Sequence, residues 1–339
     1  MTKAAEAAAA AFDLPGAVDA VEPHPTGHIN EGYLVMAGAH RYLLQRLNPS
    51  VFHDPDAVMT NVVAVTDHLR AKGEPTLSLV STRHGSSSWR GTDDAVWRMY
   101  QYFRDVEQLE VASPAAAAVV GRAYGRFNRL LSDLDISRLR ISLPGFHDPG
   151  RRIAQLEAAV EADRYDRLGG ACGLVDALRT LRHAIAADSA LAGLPVRVAH
   201  NDAKAANVLV DDAGTQQPVV IDLDTVMPGS VLWDVGDMIR SSTGTPEEAT
   251  AAVAFDVDRY RALTDAWLAE TGDLLTEHER DAVPRAGLVV TFEQAVRFLT
   301  DHLEGDVYFR VTRPGENLDR AANQLELVRS MVSTLDWRP

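Results

Sequence analysis

The chain has 339 residues, 46% of them hydrophobic and 24% charged, enough for a large core in two domains or one bilobal one. Its formal net charge of −15 argues against a nucleic-acid or membrane-surface binder, because phosphate backbones and anionic lipids would repel it, but leaves room for a local basic pocket. A single cysteine, Cys172, precludes an intrachain disulfide and fits a cytoplasmic setting; the residue reads as a small buried hydrophobe rather than a reactive thiol.

The alanine-rich start, Met1–Ala11, reads as a short helix. It lacks the basic start of a signal peptide, is interrupted by Glu6 and Asp13, and ends at Pro15-Gly16. No stretch approaches the roughly 20 apolar residues of a membrane span. Tyr33–Met36 and Arg41–Leu47 are strand candidates, and Ala37-Gly38-Ala39 between them suits a hairpin turn. Asp54-Pro55 opens a helix as cap and first-turn proline. Val58, Val62, Val65 and Leu69 follow at helical spacing, and Gly73 stops the run. Thr76–Ser81 and Ala95–Phe103 are further strands, with polar turns at His84–Ser88 and Gly91–Asp94.

From Ser113-Pro114 onward the pattern is mainly helical. Thr245-Pro246-Glu247-Glu248 repeats the cap-plus-proline start. Thr276 with Glu279 forms a capping box, and Pro284 is expected to kink or divide the helix it opens. Between Arg197 and Asp222, short apolar runs (Val196–Ala199, Val208–Val210, Val219–Ile221) alternate with polar loops, the setting of a rigid site. These elements predict an α+β chain with a β-rich N-terminal lobe over 1–103 and a mainly helical C-terminal lobe over 104–339, joined near Phe103–Glu110.

The chemistry concentrates in His200-Asn201-Asp202-Ala203-Lys204-Ala205-Ala206-Asn207 and in Val219-Val220-Ile221-Asp222-Leu223-Asp224. An Asp lies in a loop after a strand, an Asn follows five positions later, and a second Asp ends a further strand; a short hairpin would bring the three to one edge. Phosphoryl transfer asks for such a set, since its catalysis is mostly positioning and electrostatics. Asp202 suits a proton acceptor facing the attacking hydroxyl. Asn207 and Asp222 offer the hard oxygens that Mg²⁺ prefers. Lys204, one of only three lysines with Lys3 and Lys72, could neutralise the moving phosphoryl group or hold the acceptor. His200 reads as an orienting loop residue, Asp224 as a second metal-shell acid or a cap, and Asp234 as a brace of the loop or a helix cap. The eleven histidines show no paired ligand spacing, against a metal hydrolase.

These motifs resemble those of the aminoglycoside phosphotransferase and choline kinase superfamily, with its two-lobed protein-kinase fold. Matching stretches are Gly27-His28-Ile29-Asn30 with Tyr33, Tyr42–Asn48, His200–Asn207, Ile221–Gly229 and Trp233–Arg240. Arg297–Phe309, with Asn317-Leu318 and Gln324, is similar to the N-acetylhexosamine 1-kinases within it. The resemblance implies ATP and Mg²⁺ as cofactors, and transfer of the γ-phosphate to the anomeric hydroxyl of an N-acetylated amino sugar, with no obligate protein partner. It also implies nucleotide contacts at Gly27, Asn30 and either Gln45 or Arg46, and acceptor contacts at Asp202, Lys204, Arg297, Asp301 and Tyr308. Trp97–Phe103 is plain core or an adenine-binding hinge through backbone atoms of Gln101 and Tyr102. Arg297 and Asp301, four apart, are expected to share a helix face as an ion pair.

The chain departs from the pattern in three places. Asn201 stands where related kinases often carry Gly. No lysine lies on a strand of the first lobe, where protein kinases hold the α- and β-phosphates. The phosphate-covering loop is thin in glycine, with Gly27 and Gly32 alone. Another acceptor on the same scaffold (homoserine, choline, an aminoglycoside, a different sugar) and a catalytically dead nucleotide-binding module are the competing readings.

Overall fold

The computed structural model describes residues 2–24, 29–186, 191, 193–211, 217–244 and 253–336. In chain order the elements are α1 (Thr2–Ala10), β1 (Ala20–Pro23), β2 (Glu31–Ala37), β3 (His40–Arg46), α2 (Pro55–Ala71), β4 (Trp89–Arg90), β5 (Val96–Gln101), β6 (Glu107–Gln108), α3 (Pro114–Leu130), α4 (Pro149–Ala162), α5 (Leu168–Ala186), β7 (Arg197–Ala199), β8 (Val208–Val210), β9 (Val219–Val220), β10 (Met227–Gly229), α6 (Val231–Thr243), α7 (Val257–Thr271), α8 (Glu277–Leu303) and α9 (Glu316–Thr334). They divide into two compact units. One comprises Met1–Glu107, Leu134–Leu143 and Leu209–Met227; the other comprises Gln108–Asp133, Pro144–Val208 and Pro228–Pro339.

The first unit is built on a five-stranded antiparallel sheet in the order β1-β2-β3-β5-β4. Ala37 pairs with His40, so Gly38 and Ala39 form a two-residue hairpin turn, with Gly38 at φ 59°. The alanine run is more than a flexible start. Ala5, Ala8 and Ala9 of α1 are fully buried with Phe12 in the cluster that holds Val35, Leu44, Trp97 and Met99. Their spacing puts small side chains on one helix face, where the helix can seat closely. α2 starts as expected: Asp54 accepts from the Ala57 N–H and Pro55 occupies the first turn. Its buried Asn61 reaches back to the chain, donating to the carbonyls of Arg140 and Val226 and accepting from the Arg140 N–H. β8 and β9 are hydrogen-bonded neighbours, and the chain leaves β9 at Val220, one residue short of the expected strand.

Thr76–Ser81 does not form a strand. It runs extended, meeting β5 at a single Leu79–Tyr100 bridge, with Val80 N–H bonded to Met99 O and Gln101 N–H to Ser78 O. Its neighbour meets it only near the end of β5, because β4 takes the pairing at Val96 and Trp97.

The second unit is helical. Glycines set two of its closest helix contacts. A side chain at Gly121 of α3 would strike the Leu263 carbonyl of α7 at 2.2 Å, and one at Gly236 of α6 would strike the Ala286 carbonyl of α8 at 2.6 Å. Thr276 and Glu279 form the full capping box at the start of α8. Pro284 does not divide this helix, which runs unbroken over 27 residues. Both Pro284 and Arg280, whose carbonyl lacks the usual donor four residues on, lie on the exposed side of the helix, where loss of that bond costs least. Cys172 is exposed rather than buried. Ala171, Val175 and Leu178 form the inward face of α5, and Cys172, one position round from it, donates its thiol to the Leu168 carbonyl. The expected helix start at Thr245–Glu248 lies outside the described residues. None of the described helices is long and apolar enough to cross a membrane.

Candidate active site

In the helical unit, β7 ends in a loop whose hub is Asp234 of α6. This carboxylate is fully buried. Its oxygens accept from the His200 N–H at 3.0 Å, the Asn201 N–H at 2.7 Å and the Asn128 side chain at 2.8 Å. Asn128 in turn accepts from the Trp267 indole at 3.0 Å. Burial pushes the Asp234 carboxyl up, against the pull of these donors. His200 is fully buried, edge-on to Tyr124 and Phe127, and its Nδ1 accepts from the Asp202 N–H at 3.3 Å. It packs and orients the loop.

Asn201 has φ 64°, in the left-handed region. That explains the glycine in related kinases: the turn needs a positive φ, and asparagine is the side chain that tolerates it best. The turn delivers Asp202. Its Oδ2 accepts from Lys204 Nζ at 2.8 Å and from Asn207 Nδ2 at 3.0 Å, while Asn207 Nδ2 also bonds the Asp202 carbonyl at 2.9 Å. The Lys204 carbonyl is tied to the Tyr124 hydroxyl. Burial opposes ionisation of Asp202, yet the Lys204 ammonium and the Asn207 amide hold it well below the usual carboxylate range. With 29% of the side chain exposed, solvent screens part of that attraction. The amide nitrogen of Asn207 is committed to Asp202, so its oxygen is the atom suited to a hard cation.

In the β-rich unit, Asp222 follows β9 in a left-handed conformation (φ 59°) and heads the turn Leu223–Thr225. Both carboxylate oxygens of Asp224 are engaged: Oδ1 takes a short bond from Arg98, and Oδ2 accepts from Asn30 at 2.6 Å. Asn30 also accepts from the Asn48 N–H. Arg98 is the functional candidate that the reading of the sequence missed. It is 1% exposed, lies opposite Gln45 in the β3–β5 register, and donates to Gln45 Oε1 through Nε (3.0 Å) and Nη2 (2.8 Å). Burial works against its charge, but Asp224 and, more weakly, Asp222 keep it firmly protonated. The available signal was a lone charge inside the apolar run Val96–Tyr100. Arg46 is engaged with Glu31 and Asp93, each at 3.1 Å. The N–H groups of Gln101 and Tyr102 are bonded to the carbonyls of Ser78 and Arg41. Gly27 lies outside the described residues.

The late motif also belongs to the helical unit. Arg297 does not pair with Asp301. Its guanidinium is enclosed by the rings of Phe146, Tyr308 and Phe309 at 5.0, 5.5 and 5.4 Å, and donates to Gln294. Asp301 instead accepts from the N–H groups of Val307, Tyr308 and Phe309 and from Asn317. The loop after α8 curls back over the helix, and its amides outcompete a side chain for the carboxylate. Phe146 leads to His147, whose Nε2 lies 2.9 Å from the Asn201 carbonyl. The same unit therefore links the aromatic box around Arg297 to the residue before Asp202.

Residues 20–271 match the phosphotransferase enzyme family. An aminoglycoside phosphotransferase from Alicyclobacillus acidocaldarius superposes with a TM-score of 0.66 at 15% identity, covering 97% of this chain and 94% of that one. A spectinomycin phosphotransferase solved with ADP and spectinomycin gives 0.57 at 13% identity over 95% of each chain. A choline kinase from Streptococcus pneumoniae gives 0.55 at 13% identity over 93% and 94%. The fold is the protein-kinase-like α+β fold, with a β-sheet N-terminal region and a helical C-terminal region.

Proposed function

This chain belongs to the phosphotransferase enzyme family, and we propose on that premise that it is a cytoplasmic kinase moving the γ-phosphate of ATP to the anomeric hydroxyl of an N-acetylated amino sugar. The observation that carries the reaction is the convergence of Lys204 and Asn207 on Oδ2 of Asp202. Both donors occupy one oxygen, which leaves Oδ1 to face the acceptor hydroxyl. A carboxylate held ionised by its neighbours is a weak base in the ground state. That suits a loose phosphoryl-transfer step, in which the hydroxyl is oriented first and its proton is lost late.

Asn207, through its amide oxygen, and Asp222 would hold Mg²⁺. The ion would supply charge neutralisation for the transferring phosphoryl group. Arg98 has the charge that a strand lysine would otherwise bring, and holds Asp224 and Gln45 while doing so. Asn30 ties the turn before β2 to Asp224. Gln101 and Tyr102 would meet the adenine through carbonyl oxygens, since their N–H groups are occupied.

The acceptor assignment rests on the likeness of Arg297–Phe309 to sugar kinases and on one chemical argument. A choline site needs an aromatic box open to a quaternary ammonium. Here the box is filled by the cation of the protein's own Arg297. Arg152 is close enough that, with burial, the two like charges push Arg152 down to about 10. Such a site favours a neutral, hydrogen-bonding acceptor over a cationic one. Arg297 and Tyr308 would contact the sugar, and Asp301 would place the loop that carries Tyr308.

The test is an ADP-release screen with N-acetylglucosamine, N-acetylgalactosamine, choline, homoserine and an aminoglycoside. Asp202→Asn should lower turnover about 10²- to 10⁴-fold with the fold intact. Full turnover in that variant overturns the catalytic assignment. ATP binding with no turnover on any acceptor would instead mark a nucleotide-binding module.

A further inference from the structure

Glu293, in the middle of α8, is 1% exposed, and neither of its carboxylate oxygens has a hydrogen-bond partner. A buried charge left in that state is costly unless cations surround it. Two do. His147 Nδ1 lies 3.4 Å from Oε1 and Arg152 Nε lies 3.8 Å from it. The opposite ring nitrogen of His147, Nε2, lies 2.9 Å from the Asn201 carbonyl, one residue before the proposed base. The ring is held flat against Trp233 (5.2 Å, 15° between planes) and edge-on to Phe146 (4.9 Å). Its side chain is 6% exposed.

Both nitrogens of this imidazole therefore face acceptor oxygens. A neutral ring has one N–H and one lone pair. With Glu293 ionised, either tautomer would set a lone pair against an oxygen, and only the imidazolium offers a donor on each side. We propose that His147, charged and held by Glu293, is a positioning residue for the catalytic base, clamping the Asn201 carbonyl so that the left-handed turn presents Asp202 in one orientation. The inference rests on the reading of Asp202 as the base.

The charged groups around His147 are Glu293 and Arg297 from α8 and Arg152 from α4; the catalytic loop offers only the Asn201 carbonyl, and α6 the uncharged Trp233 ring. Burial and Arg297 oppose the charge, but Glu293 and the Asn201 carbonyl outweigh them, so the ring titrates above the ordinary imidazole range. The sign follows: the clamp is whole below that range and is lost as pH rises through the raised value. Turnover should therefore carry an alkaline limb belonging to His147.

The experiment measures turnover from about pH 5.5 to about pH 9 with Mg·ATP and N-acetylglucosamine, and ADP release to water without sugar. It compares the wild type with Asp202→Asn, His147→Leu and Glu293→Gln. His147→Leu should lower kcat roughly 10- to 100-fold on the acid side of the limb, the scale of a displaced catalytic group, and progressively less above it, with KM for ATP changed less than about two-fold and no alkaline limb. Glu293→Gln should lower kcat a few-fold and also lose the limb, because an amide can donate to Nδ1 of a neutral ring while Nε2–H still reaches Asn201. Histidine side-chain NMR on Asp202→Asn should find one buried imidazole protonated on both nitrogens at about pH 7, a signal absent when His147→Leu is added. Retained wild-type kcat and limb in His147→Leu, or a neutral His147 ring at about pH 7, overturns the inference. Undiminished turnover in Asp202→Asn overturns the base assignment instead, so the two failures are separable.

Discussion

Asn201 shows how much one backbone angle decides. At φ 64° a β-carbon is strained, and asparagine is spared much of the penalty by hydrogen bonding locally, here from its side chain to the Ala199 carbonyl. Asn201→Gly should fold and remain active. Asn201→Ala should lose about 1 kcal/mol of stability in a denaturant titration, with turnover falling more than that loss explains, since the neighbouring residue is Asp202. Equal stability in the two variants would refute the strain argument. The proposed catalytic residues, Asp202, Asn207 and Asp222, could be picked out of the sequence because they stand at a spacing with a chemical reason. Arg98, His147 and Glu293 were not, because their partners are distant in the chain. Arg98 meets Asp224, 126 residues on. A lone charge in an apolar run marks a buried partner without saying which.

At the scale of elements, caps and turns were read well because their signals are local. Asp54, Ser113 and Thr276 all cap as expected. The capping box of α8 does more than end a helix. Glu279 is fully buried and also receives Arg197 through Nε (3.1 Å) and Nη2 (3.0 Å), which ties the start of α8 to β7 and the loop beyond it. Burial resists the charge, but Arg197 and the Thr276 donors hold the Glu279 carboxyl below its usual range. Its contribution is therefore complete above the ordinary carboxylate pKa and is lost as pH falls through the lowered one. Thr276→Ala should cost about 1 kcal/mol near neutral pH. Glu279→Gln should lower the Tm at about pH 7 and progressively less towards about pH 3; a gap that does not close on acidification contradicts the ion-pair account. Helix contacts through Gly121 and Gly236 escaped the reading, since a glycine inside a helical pattern signals a weak helix as readily as a close neighbour. Pro284 leaves α8 undivided for a related reason: its cost depends on which face it occupies, and that is set by packing.

For the molecule as a whole, the fold class was legible from the order of elements, strands with one helix first and helices afterwards. The way the chain shares its units was less so. Leu134–Leu143 and Leu209–Met227 join the β-rich unit from within the helical stretch, through bonds such as Asn61 to Arg140 and Val226. No local pattern announces a return of that kind. A kinase that uses ATP should be stabilised by Mg·ATP as any protein is by a ligand of its native state. Mg·ATP at about 100 times its Kd should add about 2.7 kcal/mol of stability and raise the Tm by several degrees, with the increment removed by chelating Mg²⁺. An unmoved Tm with ATP and Mg²⁺ together would count against nucleotide binding.

Asp234 gathers the indole of Trp267 through Asn128 on one side and the amides of His200 and Asn201 on the other. The loop that would perform the chemistry is thus hung from the same buried carboxylate that anchors α3, α6 and α7. This makes the loop a poor place for evolution to tinker: if Arg297 and Tyr308 contact the acceptor as proposed, preference can drift through them while the suspension of Asp202 stays untouched.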